Sequence, residues 1–184
     1  RRAAEDGLRY VHSANEPDLI AGVGTAGLEL LETLPHVDRV VCPVGGGSSA
    51  AGYCLTVGAI GDAEVVGVQS AAADATYHAY HENHLDPQES VATEAEGIAS
   101  RAPFALTVEV LRERLADLVR VPEAAIWESV ADVVATDRLV IEGASASAVA
   151  AVREMDGIAG ETIVVPITGR NLSTAKLRRA VGDG

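Results

Sequence analysis

The stretch VVCPVGGGSSAAG, residues 40–52, decides how the rest of the chain is read. It opens with an apolar, β-branched run, Val40-Val41-Cys42-Pro43-Val44, of the kind that forms a buried parallel strand. Three glycines follow, then Ser48 and Ser49, and from Ala50 the pattern turns helical. A strand, a glycine turn and a helix N-terminus in succession make an anion site. Glycine lets the backbone turn with positive φ and approach a ligand closely. The first amides of the helix lack an internal acceptor, and the helix dipole adds partial positive charge. The two serines add hydroxyl donors without bulk, so a phosphate is the natural guest. The pattern is neither G-x-G-x-x-G nor a P-loop, because no Lys-Ser/Thr pair follows the glycines. The alternative is a tight turn with no ligand.

Outward from this stretch, strand and helix signals alternate. Residues 1–7 read as the end of a helix stopped near Gly7, and 8–11 as a short strand. Pro17 and Asp18 suit the opening of a helix to about residue 34, with Leu28, Leu31 and Leu34 on one face. Gly22, Gly24 and Gly27 each cost such a helix about 1 kcal/mol relative to Ala, which suggests close backbone packing or approach to something else. Downstream, 64–69 reads as a strand, 71–84 as a helix, 85–103 as irregular and 106–115 as a helix. Residues 118–121 then read as a strand, and Pro122 opens a helix to about 135. The Ala/Ser/Gly-rich segment 141–155 should pack tightly, 161–167 is a last strand, and 172–181 a closing helix. This order predicts an α/β fold with an open, mostly parallel twisted sheet and helices on both faces. In such sheets ligands sit beyond the carboxyl ends of the strands. Both 45–49 and 168–171 follow a strand in that way, so two polar turns at one edge can grip opposite ends of one small cofactor.

Composition narrows the partners. Fourteen Lys+Arg against 27 Asp+Glu gives −13, which argues against a nucleic acid or an anionic membrane as partner. The 184 residues, 48% of them hydrophobic, suffice for one domain or a large part of a bigger protein. Apolar runs fall short of a membrane span, and no signal peptide is evident. Cys42 and Cys54 make no metal-spaced pair, so a cytoplasmic location is expected. Met155 is the sole methionine, so Arg1 is expected to lie within a longer polypeptide.

Five ordered motifs resemble the serine/threonine dehydratase-like family of fold type II (β-family) pyridoxal-phosphate enzymes. The run from Tyr10 through Ile20-Ala21-Gly22-Val23-Gly24-Thr25 is similar to the family's IAGQGT segment, and 41–49 to its glycine-rich phosphate cup. Glu96-Gly97-Ile98-Ala99 resembles its DGIA turn, Glu142-Gly143-Ala144 its EPAGA, and Thr168-Gly169-Arg170-Asn171 its SGGN. The resemblance covers nearly the whole chain, and implies the C-terminal part of a tryptophan synthase β-like large domain over residues 1–184.

What the resemblance implies about the site is specific. Gly45, Gly46, Gly47, Ser48 and Ser49 would bind the phosphate of pyridoxal 5′-phosphate. Gly97 would pass close to its ring, Glu142 would lie near the ring or the substrate, and Thr168 would hydrogen-bond the pyridine nitrogen. The implied reaction removes water and ammonia from a β-hydroxy amino acid such as threonine or serine, leaving a 2-oxo acid. A threonine at the ring nitrogen also favours a threonine synthase-like or other β-replacing enzyme. A catalytically silent domain that keeps the phosphate cup is the third possibility.

The resemblance also implies what is missing. The family's Schiff-base lysine belongs to the first half of the polypeptide, so that N-terminal half is an expected partner and this chain alone is expected to be inactive. A homodimer is a family expectation. The only lysine, Lys176, is read as a cation favourably placed near the C-terminus of the last helix. Ser48 stands where the family often has glycine, and would be strained if its φ were positive. Arg170 replaces a glycine. The acidic ligands of a divalent cation in some relatives correspond to Gln69 and Ala75, so no metal is expected there. His78, His81 and His84 share one arc of a probable helix but lack further ligands, and read as surface. Ser145 and Ser147 read as helix-packing residues rather than nucleophiles. The chain ends soon after Arg178-Arg179, and no amino-acid-sensing domain is expected.

Overall fold

A computed structural model describes residues 1–182. Its centre is a four-stranded, all-parallel sheet in the order β3-β2-β1-β4, formed by β1 (Arg39–Pro43), β2 (Glu64–Ser70), β3 (Asp117–Val121) and β4 (Ile163–Val164). The helices are α1 (Arg2–Glu5), α2 (Pro17–Thr33), α3 (Ser48–Ile60), α4 (Ala75–Glu82), α5 (Ala105–Arg114), α6 (Glu123–Asp137), α7 (Gly143–Glu154) and α8 (Thr174–Val181), with a 3-10 turn at Glu96–Ile98.

Side chains alternate across a strand, so β1 feeds two cores. Val40, Cys42 and, just beyond the strand, Val44 pack with Ala50, Tyr53 and Val57 of α3 and Leu111 of α5. Val41, with Val66 and Val68 of β2, packs on the other face with Ile126 and Val130 of α6 and Ala146 and Ala150 of α7. The helices therefore cover both faces of the sheet. No helix among the described residues is long and apolar enough to cross a membrane.

Three expectations are corrected. The face of α2 turned inward is Ile20, Gly24 and Gly27, while Leu28 and Leu34 are exposed. Of the three leucines Leu31 does pack against the core, and the glycines make the rest of the contact because α2 lies backbone to backbone on α3. A Cβ added at Gly52 would stand 2.8 Å from the amide nitrogen of Gly24, and one at Gly27 would strike Thr56. Second, residues 8–11 form no strand; Leu8, Tyr10 and Val11 are exposed, and no described strand lies alongside them to complete a ladder. Third, the run 161–167 pairs with β1 only through Ile163 and Val164, and Pro166, which has no N–H, cannot extend the ladder as a donor.

Candidate functional site

The carboxyl end of β1 runs directly into the glycine turn. Gly47 takes φ +91°, the left-handed conformation the turn needs, so Ser48 enters α3 as an ordinary helical residue and carries no strain. The bonding of α3 begins with Ala51 N–H to Gly47 O at 2.9 Å, leaving the amides of Ser48, Ser49 and Ala50 without an intrahelical acceptor. No side chain caps this end, and no acidic residue sits in its first turn. The free amides and positive dipole of this helix end fit a phosphate, and the carboxylate of Glu96, which lines the cavity in front of it, is paired with Lys176.

Two buried threonines pin the turn from behind. Thr76 Oγ1 donates to Gly45 O at 3.1 Å, and Thr107 Oγ1 donates to Gly46 O at 2.7 Å. In front of it opens a cavity of about 320 Å³ whose lining includes Gly45, Gly46, Ser48, Gly97, Ser13 and Phe104. Gly46 lies so close to Ala14 and Phe104 that a Cβ would stand 2.7 Å from the first and 2.9 Å from the second. Gly47 faces away, toward Thr107 and Leu111, so its role is conformational; Ser49 is half-buried at the helix start.

The opposite wall is the 3-10 turn. A Cβ at Gly45 would stand 2.9 Å from Gly97 O, which brings turn and cup into contact. Gly97 in turn faces Glu142, whose Oε1 lies 2.7 Å from where a Gly97 Cβ would be. The same carboxylate occupies the space beside Gly169, at 2.2 Å from a Cβ built there, and accepts Asn171 N–H at 3.2 Å. Glu142 is the residue preceding α7, and its own N–H donates to Gly169 O at 3.2 Å. Buried Ser145 completes the grip: its hydroxyl donates to Gly169 O at 3.2 Å and accepts Gly169 N–H at 3.3 Å. Contacts thus run from Gly45 through Gly97 and Glu142 to Gly169, linking the cup to the turn that bears exposed Thr168.

The 3-10 turn is also anchored from below. Glu123, the first residue of α6, accepts Ser70 Oγ and Thr93 Oγ1, each at 2.5 Å, and Glu94 N–H at 3.2 Å. Burial pushes this carboxyl up, but the hydrogen bonds from Ser70, Thr93 and Glu94 outweigh it and hold it below the ordinary glutamate range. At Asp74 burial likewise acts upward, and is outweighed by Arg120, Gln88 and His78.

Other sequence candidates disperse. His78 pairs with Asp74 and Glu82, His81 faces the Leu118 carbonyl and His84 stands near Asp86, so the three histidines do not converge. Gln69 is buried, with Oε1 accepting Tyr77 N–H at 2.7 Å. Cys42 and Cys54 are free thiols in the core; burial comes first in raising both, with Cys54 pushed up to about 12. Lys176 lies in the first turn of α8, not the last, with its N–H on Ser173 Oγ. Ser173 caps α8, so Thr174 is its first residue and Lys176 its third, five residues before the helix ends at Val181.

The sequence profile of a family described as pyridoxal-phosphate dependent enzymes matches residues 1–169. The chain belongs to this family. Among curated relatives, the L-threonine ammonia-lyase of Thermotoga maritima is 32% identical over 97% of this chain and 45% of its own length. The catabolic L-threonine dehydratase TdcB of Escherichia coli is 32% identical over 96% of this chain and 55% of its own. The processed threonine deaminase isoform 2 of Solanum lycopersicum superposes with a TM-score of 0.89 at 27% identity, covering 97% of this chain and 50% of that one. The chain thus spans about half the length of the curated relatives it matches.

Within this pyridoxal-phosphate dependent family, the threonine supports of the cup, the Ser145 grip and the anchors of the 3-10 turn went unread in the sequence. Each depends on two segments meeting that lie tens of residues apart. Only Ser145 carried a local signal, a hydroxyl amid alanines where the motif it resembles has glycine.

Proposed function

We propose that residues 1–184 are the C-terminal part of the large domain of a pyridoxal-phosphate dependent lyase that removes water and ammonia from threonine, serine or a similar β-hydroxy amino acid. A further part of the enzyme supplies the lysine that holds the cofactor, and the assembly works in the cytoplasm. The single observation that supports this reading is the run of close neighbours from Gly45 through Gly97 and Glu142 to Gly169, the residue next to Thr168.

In this arrangement the amides following Gly47, with the hydroxyls of Ser48 and Ser49, hold the phosphate, while Gly45 and Gly46 let it approach the backbone. Bound there, the cofactor supplies an electron sink for the α-carbon of an amino acid. Gly97 lets the 3-10 turn sit close against Glu142 and Ala144, where a side chain would push it out of line, and so keeps its backbone as the wall beside the ring. Thr168 offers the ring nitrogen a hydrogen bond and no proton, since a hydroxyl is far too weak an acid to give one up. Glu142, fixed by Asn171 N–H, keeps a carboxylate beside both turns and excludes bulk from the gap between them.

The test is to assay the complete enzyme, with pyridoxal 5′-phosphate, for 2-oxo acid release from L-threonine and L-serine. Accumulation of 2-oxobutanoate or pyruvate, lost in Gly97→Ala, supports the lyase. The threonine at position 168 favours one second reading, a β-replacing enzyme; phosphate release from O-phosphohomoserine without 2-oxo acid would establish that instead. No turnover and no cofactor absorbance would leave a silent domain.

A further inference from the structure

Lys176 is the only lysine of the chain, and it does not reach into open solvent. Its Nζ donates to Glu94 O at 2.7 Å and to Glu96 Oε1 at 2.6 Å, with the side chain only 20% exposed. One turn later Arg179 pairs with Glu94. Both cations lie over the face of Trp127, at 5.9 and 5.5 Å from the ring centre. Glu94 and Glu96 flank Ala95, and the next residue is Gly97. An exposed pair of opposite charges contributes little by itself. Here the ammonium also engages a main-chain carbonyl, so it fixes backbone as well as a side chain. The hydrogen bond from Lys176, aided by its charge, holds the Glu96 carboxyl below its ordinary range.

We propose that Lys176 is a positioning residue, tying α8 to Glu94 and Glu96 and thereby setting how far Gly97 stands from the glycine cup. This rests on the reading, proposed above, that the cup holds a phosphate and Gly97 faces a ring. The cup has separate anchors, Thr76 on Gly45 and Thr107 on Gly46, and neither belongs to α8. Loss of Lys176 therefore loosens the ring side of the cleft and leaves the phosphate side intact. General destabilisation would weaken both.

Two probes separate the sides. Inorganic phosphate reads the cup alone. Pyridoxine 5′-phosphate adds the ring but has no aldehyde to condense with Lys176 or the terminal amine. Calorimetry on the full chain gives both affinities, and emission from Trp127, the single tryptophan, reports release of the clamp. Lys176→Met, which removes both contacts, should weaken pyridoxine 5′-phosphate by about fivefold, and Glu96→Gln, which touches only the exposed carboxylate, by about twofold. The double variant should be no worse than Lys176→Met alone, because that substitution already removes the contact to Glu96 as well as the one to Glu94 O. Lys176→Arg should restore binding to within about twofold, and phosphate affinity should stay within about twofold throughout. Unchanged pyridoxine 5′-phosphate binding in Lys176→Met, or a parallel loss of phosphate, would overturn the proposal. A wild-type chain that binds neither probe removes the cup reading and this inference together; one that binds both while Lys176→Met behaves identically removes only the role of Lys176.

Discussion

The two sides of the cleft are held by different chemistry. The cup sits on β1, strapped from behind by two threonine hydroxyls that are wholly buried. The opposite wall, residues 94–98, is held by Glu123 from below and by Lys176 and Arg179 from an exposed helix. Buried neutral hydrogen bonds lose their full value when one partner is removed, because the other is left without water. Exposed ion pairs lose little, since water and salt already screen them. The glycine turn is thus built to be invariant, and the α8 side of the opposite wall to give.

Thr107→Val should break the comparison most severely. The substitution keeps the shape but strips Gly46 O of its 2.7 Å donor in a site closed to solvent. We expect a loss of about 2 kcal/mol in urea unfolding, and phosphate binding that weakens with it. A loss below about 0.5 kcal/mol would mean that the cup does not depend on its buried strap. Gly97→Ala should act next, and differently. Its Cβ would meet Glu142 Oε1 at 2.7 Å and Ala144 Cβ at 2.8 Å, so side chains must shift at a cost of about 1–2 kcal/mol. Binding of pyridoxine 5′-phosphate should fall further than that of phosphate; equal falls would contradict the assignment of the wall to the ring.

The strand and glycine turn of the cup were legible in their own residues, whereas Gly97 of the wall was reached only through the family resemblance and its anchors were not legible at all. Val40–Gly47 signals strand and turn through neighbours in sequence, where β-branching and glycine act locally. Gly24 and Gly27 announced backbone packing for the same reason, as helix-weakening residues tolerated only where two backbones meet. The leucine face predicted for α2 failed because amphipathic pattern cannot say which of two small or apolar stripes finds a partner. Glu123, Lys176 and Ser145 act across 24 to 82 residues of chain, and nothing in their immediate neighbours encodes that. Strand length failed similarly: ETIVVPI reads as seven residues, but the partner strand and Pro166 leave two paired.

Acid should sharpen the contrast between the two sides. The folded-state pKa of Glu123 lies below its unfolded value, so its stabilisation is present above the ordinary glutamate range and is lost as pH falls through the folded value. Glu123→Gln keeps an oxygen for Ser70 and Thr93 but presents an amide, not an acceptor, to Glu94 N–H. At pH 7 it should cost about 1–2 kcal/mol. As pH falls below the ordinary glutamate range and through the lower folded value the wild type should lose that margin, so the two urea midpoints converge. Parallel curves would show that the carboxylate is not what holds residues 93 and 94.

The smallest effect belongs to Arg179→Ala. Its partner Glu94 and the guanidinium itself are both about half exposed, so the pair contributes at most about 0.5 kcal/mol, and less in salt. Urea midpoints for the variant and the wild type should nearly coincide, and coincide fully at 1 M salt. Trp127 should still report the change, because Arg179 lies 5.5 Å from its ring centre and its removal leaves only Lys176 over that face. A shift in emission without a shift in stability is what a wall held by separable, solvent-screened contacts requires. A loss as large as that of Thr107→Val would show that α8 is as integral to the cleft as the strap behind the cup, and the asymmetry between the two sides would be gone.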